Sequence, residues 1–566
     1  MVVVGAGGAG MTAALAAHHR GLETLLIESS PWFGGSTSRS GGGVWIPNNY
    51  ALEKAGKTNS LAESREYLRT IIGDSVSKER IDAFLTKGPE TLAFVRDHSA
   101  AKFVWVPDYS DYYPEAPGGR AHGRSVEPVP VDGRIIGPEL ARLHPAYTKA
   151  PVGLVVTQAN YRWLSLGMRT LRGPITAGKV AARRVWHGLR HRLMYGMGNA
   201  MMIGMRKGML DAGIPLSYET ELVGLVLEDD RVVGVRVRKD GEEQEIWARR
   251  GVVIASGGFE KNLEMREKWQ RAPITVDWTT GASTNTGGGI QAAIAAGAAV
   301  DLMDDAWWGP SIPLPSGPWF CLAERNLPGS IIVNQAGLRY GNEAAPYVDA
   351  VHAMYDGEAA TGISHVPSWM VLDQRYRNRY LFAGLGPRQP FPGRWYKHGT
   401  IVKADTIEEL AKKVGVDPGG LSATITRFNE MAHTGVDSDF HRGDSAYDKY
   451  YGDPRNKPNP SLGVIDQPPY YAVKMVPGDL GTKGGVVTDE HARALRPDGS
   501  VIHGLYAAGN ASAAVMGRTY AGAGATIGPA MTFGYIAANH IADSPAADLS
   551  GGVGARAPEP TDNSEV

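Results

Sequence analysis

Cysteine is nearly absent: Cys321 is the single one in 566 residues. One thiol cannot close an internal disulfide or build a cysteine-based metal site, and this economy fits a reducing, cytoplasmic setting. Net charge is missing too. Lys and Arg number 58 against 59 Asp and Glu, so no global basicity points to nucleic acid. No apolar run approaches the ~18 residues that suggest a membrane span; the stretch 290–300 is among the longest. The 15 histidines are not read as ligands, and no metal is expected. A signal peptide is not expected either. The chain opens directly on the strand-like run Val2-Val-Val4, and a first strand usually has residues before it, so a slightly longer native N terminus is expected.

Glycine is what the chain has in excess. The 72 glycines make about 13% of the residues, against a usual ~7%. They carry no collagen period and sit between apolar runs, as where backbone must approach a nucleotide closely. The first cluster is G-x-G-x-x-G at Gly5, Gly7 and Gly10, after a strand and opening a helix. The first glycine permits the tight turn, the second lets backbone meet a pyrophosphate, and the third lets helix and strand pack closely. Phosphates would then face the positive end of the helix dipole. Glu28 follows Gly10 by eighteen residues, at the end of a second apolar run. A carboxylate there accepts from ribose hydroxyls and disfavours a 2′-phosphate. A second polar, glycine-rich segment at 34–43 comes soon after, and 504–510 repeats the theme near the C terminus. A cofactor longer than a nucleotide, reached from both ends of the chain, points to FAD in a split domain.

Residues 161–210 stand apart: ten are Lys or Arg and none is acidic. Within 176–193, Val185, Leu189 and Leu193 share a helical face beside Trp186, while Lys179, Arg183 and Arg190 lie on another. Such a basic amphipathic helix is either a solvated surface helix or a peripheral attachment to anionic membrane. From 546 to 566 the sequence is rich in Ala, Gly, Pro, Ser and Glu, lacks periodicity, and is expected to be disordered.

Several blocks carry a family resemblance. They are GGSTSRSGGGVWIP (34–47), YSDYYPEAPGGRAHGR (109–124), DDAWWGP (304–310), IVNQAGLRYGNEAAPY (332–347), VPGDLGTKGG (476–485) and GRTYAGAGATIGPAMTFGY (517–535). In this order the chain resembles the flavoprotein subunits of the succinate dehydrogenase/fumarate reductase superfamily, and more closely the 3-ketosteroid Δ1-dehydrogenases. The resemblance implies an α/β fold: a Rossmann-like split FAD-binding domain of the glutathione-reductase type with an α+β catalytic cap domain. The expected bounds are 1–304 for the first FAD part, with a basic helical insertion at about 161–210, 305–478 for the catalytic domain, and 479–545 for the second FAD part. It places Gly5, Gly7, Gly10, Glu28, Gly35, Ser36, Thr37, Ser40, Gly41 and Gly42 at the cofactor. Val223, Ala255, Gly257, Gly509, Asn510, Thr526 and Ile527 join them. No histidine occurs in 34–43, where succinate dehydrogenases attach flavin, so FAD is expected to be non-covalent. Trp307 and Trp308 stand where dicarboxylate enzymes carry polar recognition groups, and their aromatic surface suits an apolar substrate. Two departures are Gly288 for the superfamily's Asp and Ala521 where related steroid enzymes often have Pro.

The activity implied is 1,2-desaturation of a 3-ketosteroid in steroid degradation. It requires a base at C2, donors to the ketone oxygen, and a hydride acceptor at C1, which flavin N5 would be. The resemblance gives Tyr347 as the base, Tyr112 as its helper with Tyr113 adjacent, and the Tyr520 hydroxyl with the Gly524 N–H as the carbonyl-binding pair. Trp319 and Phe320 are candidate pocket walls. The final electron acceptor is left open, a quinone being one option, and the location is cytoplasmic or peripheral on the inner membrane face. Two alternatives stay open: a 3-ketosteroid Δ4-(5α)-dehydrogenase or other fumarate-reductase-like oxidoreductase, and a non-catalytic dinucleotide-fold binding protein.

Overall fold

The structure, a computed structural model, describes residues 1–147 and 154–546. The tail expected to be disordered lies outside the described residues except for its first member.

One sheet is built around the glycine turn. Its strands run in the order Arg493–Leu495, Val501–Ala507, Val252–Ile254, Val2–Val4, Leu25–Ile27 and Leu216–Ser217. All neighbours are parallel except the edge strand Arg493–Leu495. Val2 aligns with Val252 on one side and Leu25 on the other. The three central strands, Val2–Val4, Leu25–Ile27 and Val252–Ile254, are unbroken apolar runs because both faces of the sheet are covered, one by the helices Gly8–His19 and Ile527–Asp543 and the other by the antiparallel strand Arg231–Lys239, leaving no solvated side to call for alternation. The chain returns at 501–507, from its far end, so the split expected from the glycine clusters is present.

Packing explains part of the glycine. A Cβ on Gly10 would lie 1.9 Å from the Gly5 carbonyl oxygen, and one on Gly534 would lie 2.4 Å from the Ala9 oxygen. The first helix, Gly8–His19, thus sits directly on its strand, and the last, Ile527–Asp543, directly on the first.

A second sheet is antiparallel. Its longest strand, Tyr470–Thr482, pairs with Ala306–Leu314, Ser368–Asp373 and Ile401–Ala404; Gly317–Phe320 and Ser330–Val333 extend it. The expected boundary at 478/479 falls inside Tyr470–Thr482, which continues to pair as far as Thr482 with Ala306.

The region 161–210 is not one insertion. Helix Met197–Asp211 is largely buried and packs on the short helix Gly35–Arg39 and on Gly8–His19. Only helix Arg172–Leu189 is chiefly exposed. It ends at Leu189, so Leu193 is not on its face.

Candidate active site

One cavity of about 1570 Å³ runs from the glycine turn to a cluster of tyrosines. Pockets for single small ligands span ~300–1,000 Å³, so this larger space suits a dinucleotide with a second molecule beside it.

At the nucleotide end Gly5 has φ +104°, and a Cβ there would lie 2.5 Å from the Ala255 oxygen. No side chain fits, and the turn is held open by glycine. The first helix has Gly7 as N-cap and no capping side chain, so its terminal N–H groups face the cavity; Gly8 N donates to Thr37 Oγ1 at 3.2 Å. Glu28 is buried and accepts from Ala6 N at 2.8 Å and Ser30 N at 3.0 Å. Burial pushes its pKa up against the pull of those bonds. Two carboxylate oxygens offer about four lone-pair sites, so capacity remains for ribose hydroxyls. The uncapped helix end, the acidic residue beyond it and the bare backbone of 35–43 make a donor and acceptor set that fits FAD.

Of the residues expected at the cofactor, Gly5, Gly7, Glu28, Gly35, Ser36, Thr37, Ser40, Gly41, Gly42, Ala255, Gly257, Gly509, Asn510, Thr526 and Ile527 line the cavity. Gly10 and Val223 do not line it. Gly10 is spent on helix packing, and strand alternation turns Leu222 inward and leaves Val223 37% exposed.

At the other end Tyr112, Tyr347, Tyr520 and Gly524 come together on the cavity wall. Tyr347 is the first residue of helix Tyr347–Thr361. Tyr112 is fixed by its backbone N–H on Ala521 O at 3.1 Å. Beside it, buried Asp111 pairs with buried Arg124 and accepts from Trp45 Nε1 at 2.9 Å. The Tyr112 hydroxyl donates to Tyr347 Oη at 3.1 Å. The Tyr520 ring centroid lies 5.4 Å from that of Tyr347 and 5.2 Å from that of Tyr112, and Thr526 Oγ1 donates to Tyr520 Oη at 3.0 Å. Gly524 has φ +97°, and a Cβ would lie 2.3 Å from the Gly43 carbonyl carbon, so only bare backbone fits there. Phe320 meets the Tyr347 ring edge-on at 5.0 Å, and both Trp319 and Phe320 line the cavity.

Burial pushes the Tyr347 hydroxyl well above the usual phenol range, and the nearby Tyr520 and Tyr109 hydroxyls add to this; the bond from Tyr112 opposes it. Burial likewise raises Tyr112 strongly and Tyr520 to a lesser degree.

Two expectations are corrected. Tyr113 does not reach the cavity; its hydroxyl donates to Asp349 Oδ1 at 2.9 Å instead. Trp307 and Trp308 do not form the substrate wall. Both are buried, Trp307 donates to Asn510 Oδ1 and packs on the Tyr520 ring at 5.1 Å, and Trp308 donates to Asp305 Oδ1. They support the site from behind.

Other residues enter that sequence reading missed. Tyr109 and Tyr451 line the cavity and extend the hydroxyl chain: Tyr451 donates to Tyr109 at 3.1 Å, and Tyr109 and Tyr112 are 3.4 Å apart. Tyr109 lies in the same block as Tyr112, three residues earlier, which was the available signal. Nothing local marks Tyr451. Asn285 also lines the cavity and donates to Ser36 Oγ at 3.0 Å and Glu260 Oε1 at 2.7 Å.

Comparison with known proteins agrees with this geometry. The FAD binding domain family matches residues 1–527. A 3-oxosteroid 1-dehydrogenase from Mycobacterium tuberculosis is 57% identical over 551 residues, covering 96% of this chain and 98% of its own. Among solved structures, 3-ketosteroid delta1-dehydrogenase from Sterolibacterium denitrificans, in complex with 1,4-androstadiene-3,17-dione, superposes with a TM-score of 0.91 at 39% identity. It covers 96% of this chain and 99% of that one. The 3-ketosteroid-delta4-(5alpha)-dehydrogenase from Rhodococcus jostii shares the fold at 21% identity, with a TM-score of 0.65 and coverage of 96% of each chain. The chain therefore belongs to the FAD binding domain family, and within it to the 3-oxosteroid 1-dehydrogenases.

Proposed function

We propose that the chain desaturates the C1–C2 bond of 3-ketosteroids with Tyr347 as the base at C2. The observation that carries this is the convergence of Tyr112, Tyr347, Tyr520 and Gly524 on one buried cavity that also holds the dinucleotide cradle. The ketone oxygen sits between the Tyr520 hydroxyl and the Gly524 N–H, where negative charge grows as the C2 proton leaves. Tyr347 Oη takes that proton while Tyr112 donates to it, and the hydroxyls of Tyr109 and Tyr451 offer a route onward. FAD, when bound, supplies the hydride acceptor for C1. We read FAD as non-covalently held, since 34–43 contains no histidine. Residues 1–304 with the segment after about 482 form the FAD domain in this reading, and the antiparallel sheet forms the catalytic one.

The test is Tyr347→Phe. It should abolish desaturation of androst-4-ene-3,17-dione while the purified protein stays yellow. A colourless variant, or one that still turns over, refutes the assignment. NMR of the parent enzyme's product separates 1,2- from 4,5-desaturation.

A second reading concerns location. Helix Arg172–Leu189 exposes Trp186 at 53% and Leu189 at 75% of their surfaces, with Arg190 stacked 3.9 Å over Trp186. Gln158, Tyr161 and Leu164 of the preceding helix line the cavity. We infer that the exposed helix rests on an anionic bilayer beside the cavity mouth, where apolar steroids and a quinone acceptor partition. Among the described residues no helix is long and apolar enough to cross a membrane. Failure to co-sediment with anionic vesicles at low salt refutes this attachment.

A further inference from the structure

The cavity has an inner and an outer end, and neighbouring residues mark them. On strand Gly317–Phe320, Phe320 packs against the base Tyr347, while Trp319 reaches the other way. A Cβ on Gly384 would sit 3.6 Å from the Trp319 ring, so the indole lies against bare backbone there. Gly384 is exposed, and both residues line the cavity. This contact is therefore part of the rim where the cavity meets solvent. Gly384 belongs to a tight turn, closed by Phe382 N to Leu385 O at 2.9 Å and Leu385 N to Phe382 O at 2.8 Å. Ala383 and Gly384 both have positive φ, 46° and 80°, so the turn has a fixed shape.

One side chain behind the rim holds both halves. Glu324 Oε1 accepts from Trp319 Nε1 at 2.9 Å and from Ala383 N at 3.1 Å. Glu324 is 1% exposed, and its other oxygen has no hydrogen-bond partner. Its own backbone is anchored where Tyr376 Oη donates to Glu324 O at 2.7 Å. A buried carboxyl without a cation is a costly way to satisfy two donors, and here those two donors belong to the two sides of the mouth.

We propose that Glu324 is a positioning residue for substrate selectivity. It clamps Trp319 to the 382–385 turn and so sets how large a substituent the mouth admits. This rests on the steroid reading: with the 3-ketone held at Tyr520 and Gly524, the far end of a rigid tetracycle, which carries the C17 substituent, points to this rim.

The test compares kcat/KM for androst-4-ene-3,17-dione and for cholest-4-en-3-one, which bears a long C17 side chain, on FAD-loaded enzyme. Glu324→Ala and Trp319→Ala should raise the long-to-short ratio ~10-fold or more, the scale set by contacts with apolar pocket walls. In Glu324→Ala the change should lie in KM, with kcat for the 17-ketone nearly unchanged. Trp319→Phe keeps a ring but loses the donor and should shift the ratio in the same direction. Glu324→Gln retains an acceptor oxygen and should behave as the parent. Hydrogen exchange adds a readout independent of turnover. Amides of 317–320 and 381–385 should speed up together in Glu324→Ala and stay slow in Glu324→Gln. An unchanged ratio in yellow, folded Glu324→Ala overturns the clamp, as does a Gln variant that matches Ala. If Glu324→Ala does not fold, Trp319→Phe decides by the same two measurements. If the parent desaturates no 3-ketosteroid, the steroid reading falls, and the exchange data alone judge the clamp.

Discussion

Tyr112→Phe removes a single oxygen and isolates what the helper contributes to the base. The ring contacts remain: Tyr112 packs edge-on to Tyr347 at 5.3 Å and tilted on Tyr447 at 4.7 Å. Tyr109 keeps its partner Tyr451, so stability should hardly move. What is lost is the 3.1 Å bond donated to Tyr347 Oη. A hydrogen bond to a charged group is worth ~1.5–3 kcal/mol, and its loss raises the phenol of Tyr347 further. The base works deprotonated, and burial already holds its pKa high. Activity therefore climbs with pH, and the variant's climb is displaced to higher pH. The deficit should be ~10–100-fold at neutral pH and shrink toward the alkaline limit; the stronger base partly offsets the smaller deprotonated fraction. A pH profile of kcat in a dye-coupled assay, repeated with C2-deuterated substrate, measures it. Proton removal should become more rate-limiting and the isotope effect larger. A loss that is constant across the profile, or no loss, refutes the role given to Tyr112.

Tyr520→Phe should lower kcat ~100–1,000-fold, the usual effect of deleting one donor to a developing oxyanion, with colour retained and KM little changed. Gly524→Ala should leave little FAD-loaded protein, measured as flavin per polypeptide, because its Cβ would lie 2.3 Å from the Gly43 carbonyl carbon. Glu260→Gln tests a group behind the cradle. Burial, then Asp479, raises the Glu260 pKa from 4.5 to about 7. The raised folded value means that its favourable share of stability is present below 4.5 and lost as pH rises through 7, so ionised Glu260 opposes folding. Taken at ~1.36 kcal/mol per unit, that shift is about 3 kcal/mol. Urea melts should show Glu260→Gln gaining stability toward this size above pH 7 and little near pH 4.5. A gain independent of pH would count against it.

The nucleotide half was legible because backbone geometry dictates its residues. A turn with φ +104° leaning on Ala255 admits only glycine, and that demand is written in the sequence at Gly5. The catalytic end has no such local signature. Tyr109, Tyr112, Tyr347, Tyr451 and Tyr520 reach the cavity from four separate stretches of the chain, and among 23 tyrosines only the family blocks single out some of them. Tyr451, outside those blocks, went unseen. The family blocks favour Tyr112 over the adjacent Tyr113, and the tertiary fold separates them, sending one hydroxyl to Tyr347 and the other to Asp349. Trp307 and Trp308 misled because an aromatic pair near a site suggests a wall, yet their indole N–H groups found partners in Asn510 and Asp305 and turned them inward.

The raised pKa of Tyr347 also bears on how the reaction divides its barrier. Burial raises it most, the Tyr520 and Tyr109 hydroxyls add to that, and the bond from Tyr112 opposes them. Burial therefore works against the phenolate that must receive the C2 proton. The Tyr347 proton has to leave before the C2 proton can take its place, and the hydroxyls of Tyr112, Tyr109 and Tyr451 are the route beside it. Acidifying C2 is then as important as the base, and that is the task of Tyr520 and Gly524. The site's geometry couples the two: Thr526 Oγ1 donates to Tyr520 Oη, leaving the Tyr520 proton to point at a ketone. Tyr112 and Tyr520 therefore act on opposite ends of one proton transfer, and their Phe variants should be less than additive when combined. A double-mutant cycle measures this coupling. Strict additivity would mean that proton removal and oxyanion stabilisation are separate events.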